Sequence, residues 1–175
     1  MKGKSIKLKL RSIISAELHE INLKCVIAGA LIILLCGILS AFAGGSTEGY
    51  RELNKPFLAP PAFVFPIVWT VIYILIGGAA GAVACSCSRA TEGDKYRGLL
   101  FFIIMMVFNF IWSPLFFGAG AYFAAFAAII MMIILTFFTA VFFSRIYKIS
   151  AAAMVIYLVW LFFAAYLNFA VIILN

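Results

Sequence analysis

The sequence predicts an all-α membrane protein built as a five-transmembrane-helix bundle, and three observations carry that reading. Of its 175 residues, 67% are hydrophobic and only 11% charged, with a mean hydropathy of +1.20. A soluble chain of this size cannot hide so much apolar surface, so its solvent is lipid. The apolar stretches run about twenty residues, the length of helix that crosses a hydrocarbon layer roughly 30 Å thick. They do not alternate with polar residues. That removes a β-barrel, the other architecture that satisfies its own backbone hydrogen bonds in lipid.

The five predicted spans are residues 25–43, 63–83, 99–117, 121–143 and 151–174. Spans three and four are separated only by Gly118-Ala119-Gly120, so they are antiparallel neighbours. Residues 1–24 read as a basic cytoplasmic N-terminal tail that fixes orientation, and residues 25–175 as the transmembrane domain. Apolar residues at helical spacing in the tail leave a second reading open, a helix lying on an anionic leaflet. The tail lacks the small-residue pattern of a cleavable leader, so the first span reads as an uncleaved anchor.

Orientation follows from Lys and Arg placement. With five spans, the N-terminus and loops two and four share one side. That side holds Lys2, Lys4, Lys7, Lys9, Arg11, Lys24, Arg89, Lys95, Arg97, Arg145 and Lys148, against Arg51 and Lys55 on the other. The N-terminus is therefore expected in the cytoplasm, with loop one and the C-terminus outside a cell membrane. The net charge of +7 is then a topology signal, not a nucleic-acid patch.

None of the predicted spans contains Asp, Glu, Lys, Arg or His. Ion-coupled transport and general acid–base catalysis both lose their usual residues. Cys25 and Cys36 read as small apolar packers, and Cys85 and Cys87 as reduced thiols or acylation sites. No metal and no resident cofactor is implied. Gly77 and Gly81 form a small face on span two that suits close helix contact, within the bundle or between subunits.

What stands out is a sparse set of aromatics and amides inside the spans. Trp69 and Tyr73 share a face of span two, four residues apart. Asn109, Trp112, Ser113 and Phe116 share a face of span three, and Tyr157, Trp160, Ala164 and Asn168 a face of span five. An amide in lipid is costly without a partner, so Asn109 and Asn168 are expected to point inward. The aromatics either glue helices together or wall a cavity for a flat apolar ligand. For Trp69, near the start of its span, an interfacial belt is a third reading. Pro56, Pro60 and Pro61 stiffen the loop before span two, which then links helices or caps the cavity.

"KPFLAPPAFVFPIVWTVIY", "NFIWSPLFFG" and "YLVWLFFAAYLNF" together resemble the TspO/MBR family of translocator and tryptophan-rich sensory proteins. The three motifs come in family order and spacing and cover the chain outside its basic tail. The resemblance implies an integral membrane receptor, sensor or transporter that takes porphyrins such as protoporphyrin IX, and other flat apolar ligands, under loop one. It implies frequent homodimers. It assigns ligand contact to Trp69, Asn109, Trp112, Trp160, Ala164 and Leu167, and gives Pro60 and Pro61 the place of the family's double proline. Tyr73, Phe116, Tyr157 and Asn168 join the pocket by sharing those faces, and Tyr50, Lys55 and Pro56 join the lid. An alternative reading is a light-dependent protoporphyrin-degrading enzyme with Trp69 and Trp160 as its catalytic indoles. The chain departs from the family pattern at Leu58 and Phe63, where relatives often carry Trp, and at Ala128, where they carry an acid. Phe169 and the absence of a following basic residue leave the sterol-recognition pattern incomplete.

Overall fold

The computed structural model describes residues 12, 15–44, 53–54, 56–87 and 91–175. Five helices organise them: α1 (Leu23–Ala43), α2 (Val64–Ala84), α3 (Glu92–Ser113), α4 (Tyr122–Phe143) and α5 (Lys148–Leu174). All five are long and apolar enough to cross a membrane, and no strand occurs among the described residues. The predicted class holds. Two boundaries shift: α3 starts seven residues earlier than expected, and α5 three earlier. Glu92, Asp94, Lys95 and Arg97 therefore lie in the first turns of α3 and not in a loop. With the turn that follows it, α3 runs 27 residues, about 40 Å of helix, so its charged turns reach beyond a hydrocarbon layer of roughly 30 Å.

The helices close into a ring in the order α1, α2, α5, α4, α3. Ile76, Met105, Met154, Tyr157 and Leu161 are fully buried along its axis. Leu35, Phe42, Ile103 and Val159 are exposed on the outside, where lipid is their partner. Loop one and the C-terminus meet at one end. There the Asn54 amide N–H donates to Asn175 Oδ1 (3.0 Å), Asn54 Nδ2 donates to the Leu174 carbonyl (3.2 Å), and Asn175 Nδ2 donates to the Asn54 carbonyl (3.2 Å).

Proline and serine shape the end of α3. Pro114 has no N–H for the Phe110 carbonyl one turn back. Ser40 of α1 fills that gap, its Oγ donating to Phe110 O at 2.6 Å. The chain then widens into a π-helical turn, Pro114–Gly118, closed by Ala119 N donating to Pro114 O at 2.9 Å. Gly120 adopts φ +62°, left-handed backbone that glycine takes without strain, and sends α4 back antiparallel to α3 as predicted.

One expectation is overturned at the opposite end. Cys25 and Cys85 are not unpaired: they form a disulfide joining the start of α1 to the end of α2. Their 60-residue separation hides the pairing; it depends on α1 and α2 being antiparallel neighbours in register. Cys36 and Cys87 remain free. The described part of the tail also makes a contact with the bundle. Glu17 accepts hydrogen bonds from the Lys148 and Ile149 amides (3.0 and 3.1 Å), capping α5 from a distant segment. Asn22 caps α1 by accepting from Lys24 N.

Gly77 and Gly81 face Gly29 of α1, within the bundle. A methyl group on Gly81 would run into the Cys25 carbonyl, and one on Gly77 into Gly29 O. The two backbones touch there, which no larger residue allows.

Candidate ligand-binding site

Trp69 sits at the centre of an aromatic cluster drawn from α2, α3 and α5. Its ring lies 5.3 Å from Tyr73, 6.1 Å from Trp112, 6.4 Å from Tyr157 and 6.3 Å from Trp160, the last pair perpendicular. These are the separations of offset and edge-to-face ring pairs. Trp69 thus faces the bundle, and the interfacial-belt reading falls away.

Behind the rings runs a buried polar chain. Tyr73 OH donates to Asn109 Oδ1 (2.8 Å), and Asn109 Nδ2 donates to Tyr157 OH (2.7 Å). Tyr157 OH reaches Met132 Sδ at 3.5 Å. Trp112 Nε1 donates to Asn168 Oδ1 (3.2 Å), and Asn168 Nδ2 donates to the Tyr122 carbonyl (2.9 Å). Asn109 and Asn168 are 2% and 1% exposed, so each costly amide is repaid by partners on other helices. Trp160 differs. Its Nε1 is buried and has no hydrogen-bond partner among the described residues.

Two spaces flank Trp69. The larger, about 260 Å³, lies between α1, α2 and the end of α3, with Leu34, Gly37, Ile38 and Ala41 on one side and Phe65, Trp69, Tyr73, Trp112 and Phe117 on the other. Three of its hydroxyls are already engaged, Ser40 with Phe110 O, Thr70 with Pro66 O and Tyr73 with Asn109, and Ser113 lines the space as well. The smaller, about 20 Å³, is bounded by Trp69, Trp112, Phe116, Trp160, Ala164, Leu167 and Asn168. Phe65, Trp69, Trp112 and Phe117 line both and form the partition between them.

Most of the residues expected from the sequence therefore converge here. Asn109 and Tyr157 belong to the network behind the walls, and line neither space. Pro56, Pro60 and Pro61 line neither space; Ala62 and Pro66 from the same stretch line the larger. Tyr50 and Lys55 lie outside the described residues. The α1 wall was not anticipated. Past its first turn that helix is apolar on every face apart from Ser40, and periodicity marks no inner face on it. Gly37, where a methyl group would strike the Tyr73 ring, and Ser40, the polar residue one turn on, are the available signals.

No Lys, Arg, Asp, Glu or His lines either space, and the described residues contain no cluster able to hold a metal. The arrangement offers flat apolar walls, the unused Trp160 N–H donor on the smaller space and the Ser113 hydroxyl on the larger. It suits a rigid, uncharged surface carrying a hydrogen-bond acceptor.

Comparison with known proteins agrees with the architecture. The profile of the TspO/MBR family matches residues 27–174. A tryptophan-rich protein TspO from Chlorobaculum tepidum is 34% identical over 87% of this chain and 98% of its own length. A tryptophan-rich sensory protein from Cereibacter sphaeroides is 35% identical over 73% of this chain and 77% of its own length. The translocator protein of Sus scrofa is 28% identical over 81% of this chain and 84% of its own. With five membrane-length helices and this match along nearly the whole of them, the chain is a multi-pass membrane protein that belongs to the TspO/MBR family.

Proposed function

We propose that this protein is a membrane receptor or transporter that binds a porphyrin, or another flat apolar molecule, against Trp69 between α1, α2, α3 and α5. The carrying observation is the Trp69 cluster, with four aromatic neighbours within 6.4 Å and the partnerless Trp160 N–H beside it. Indole faces supply dispersion and quadrupole contact with a macrocycle, and the Trp160 N–H, on the smaller space, meets an acceptor that passes the aromatic partition. Porphyrin carboxylates find no cation in the walls, so they lie toward loop one, where Arg51 and Lys55 are the basic residues. A cavity of about 260 Å³ falls just below the usual 300–1,000 Å³ of small-molecule sites. A full macrocycle therefore requires α1 to draw away from α2. The excess of basic residues at the α2–α3 and α4–α5 turns supports a cytoplasmic N-terminus, with loop one facing out of the cell.

Titrating protoporphyrin IX into the purified protein in the dark tests this. Tryptophan fluorescence should quench with saturation, and a Trp69→Phe, Trp160→Phe double variant should bind at least about tenfold more weakly, the loss of roughly 1.4 kcal/mol or more. Linear, unsaturable quenching in both proteins refutes the reading. The edge-to-face Trp69–Trp160 contact favours a second reading, photo-oxidative porphyrin breakdown through those indoles. Illumination should then yield a product that the double variant does not form.

A further inference from the structure

The end of the bundle opposite the cavity carries a second kind of chemistry. Cys25 lies in the first turn of α1, and Cys85 terminates α2. Their disulfide is not sealed in the core, for Cys85 is exposed and Cys25 half-buried. Cys87, two residues on, is a free and exposed thiol whose Sγ reaches the Cys85 carbonyl at 3.6 Å. Between the two, Ser86 O accepts from Lys95 Nζ at 3.0 Å, which holds a positive charge on the approach to the sulfurs. An accessible disulfide, a free thiol beside it and a cation that draws anionic thiols are the parts of an exchange site.

We propose that Cys25, Cys85 and Cys87 form a thiol–disulfide exchange site whose state sets how firmly α1 is held to α2. An external thiolate attacks the Cys85 sulfur, and the Cys25–Cys85 bond breaks with Cys25 leaving as thiolate. A second thiolate attacks the mixed disulfide, releasing the oxidised reductant. The cystine gains two electrons, and its two sulfurs take up two protons from water. Cys87 offers an internal entry: its thiolate attacks Cys85, one S–S bond forms as the other breaks, and Cys25 is set free.

The mechanical consequence follows from α1 being the least enclosed helix, with the cystine as its covalent tie to α2. Its most apolar stretch is only 11% buried, against 33–44% for the other helices. Beyond the cystine, it meets α2 through Val26 at Gly78, the backbone contact of Gly29 with Gly77 and Gly81, Ile33 at Gly77, and Gly37 at the Tyr73 ring. The larger cavity opens between the same two helices further along. Releasing the cystine loosens the cavity's outer wall. On the side that the basic residues assign to the cytoplasm, a reducing thiol pool makes this bond a reversible one. The inference stands apart from the identity of the ligand.

The test uses the full chain in lipid nanodiscs, oxidised or treated with reduced glutathione. Alkylation after unfolding, read by intact mass, should count two free cysteines in the oxidised protein and four after reduction. Reduction should lower the thermal midpoint by about 5–10 °C. It should also raise quenching of tryptophan fluorescence by phospholipids with brominated chains, as Trp69 becomes reachable past α1. Cys25→Ser should match reduced wild type and ignore glutathione, and Cys87→Ser should slow reduction about threefold or more. Four alkylated cysteines in the oxidised protein would overturn the site. A midpoint and quenching unmoved by reduction of the wild type, which needs no substitution, would overturn the coupling to α1. An unchanged reduction rate in Cys87→Ser would overturn the part assigned to that thiol.

Discussion

Asn109 joins three helices through one amide, accepting from Tyr73 of α2 and donating to Tyr157 of α5. Replacing it with leucine removes both bonds, leaving the Tyr73 phenol without its acceptor and Tyr157 with only its contact to Met132 Sδ. Such a loss costs about 1–2 kcal/mol, toward the upper end of hydrogen bonds measured between membrane helices. Asn109→Leu should therefore lower the thermal midpoint measurably, while Tyr73→Phe, which removes only one donor, should lower it less. If the two variants unfold together, the amide is not the hub. Trp160 presents the converse case. Its N–H has no partner among the described residues, so Trp160→Phe should change stability little. Its effect belongs to ligand binding, where fluorescence titration reads it.

Between whole elements, contact is made by backbone as much as by side chains. Gly81→Ala drives a methyl group into the Cys25 carbonyl, so α1 and α2 must separate. We expect a loss of about 2–3 kcal/mol, the range for overpacking a tight contact. Gly93, in the first turn of α3, has nothing within 4 Å of an added methyl group. Gly93→Ala should be neutral or stabilising by up to about 1 kcal/mol. Thermal unfolding of the two alanine variants side by side checks both, and equal effects would remove the seam from the account. Glu17 acts on an element from outside it. Glu17→Ala leaves the first amides of α5 without a cap and should cost about 1 kcal/mol, seen as a lower midpoint and faster amide exchange at Lys148 and Ile149.

For the molecule as a whole, orientation is open to a direct measurement. A cysteine placed at Ala119, in the α3–α4 turn, should react with a membrane-impermeant maleimide added outside intact cells, while Cys87 at the other end should not. The reverse labelling would invert the topology drawn from the basic residues. Fold class and the number of spans were legible from the sequence because lipid imposes one rule on every residue: twenty apolar positions without a charge are a helix. The inward faces of α2, α3 and α5 were legible too, since Trp69, Asn109, Trp112, Trp160 and Asn168 are polar-tipped groups that need partners in an apolar medium. On α1 Ser40 alone gives that reasoning something to act on, and so the wall at Leu34, Gly37 and Ala41 went unseen. The extra turns of α3 went unseen for a related reason: Glu92, Asp94 and Arg97 read as loop, although helix continues past the hydrocarbon wherever its side chains reach water. Tertiary structure alone decided that Cys25 meets Cys85, that Glu17 caps α5, that Ser40 satisfies the carbonyl Pro114 abandons, and that Asn54 clasps Asn175. Each of these joins residues far apart in the chain, and its partner is chosen by which helices are neighbours and in what register, a property of the packed bundle and not of any local stretch.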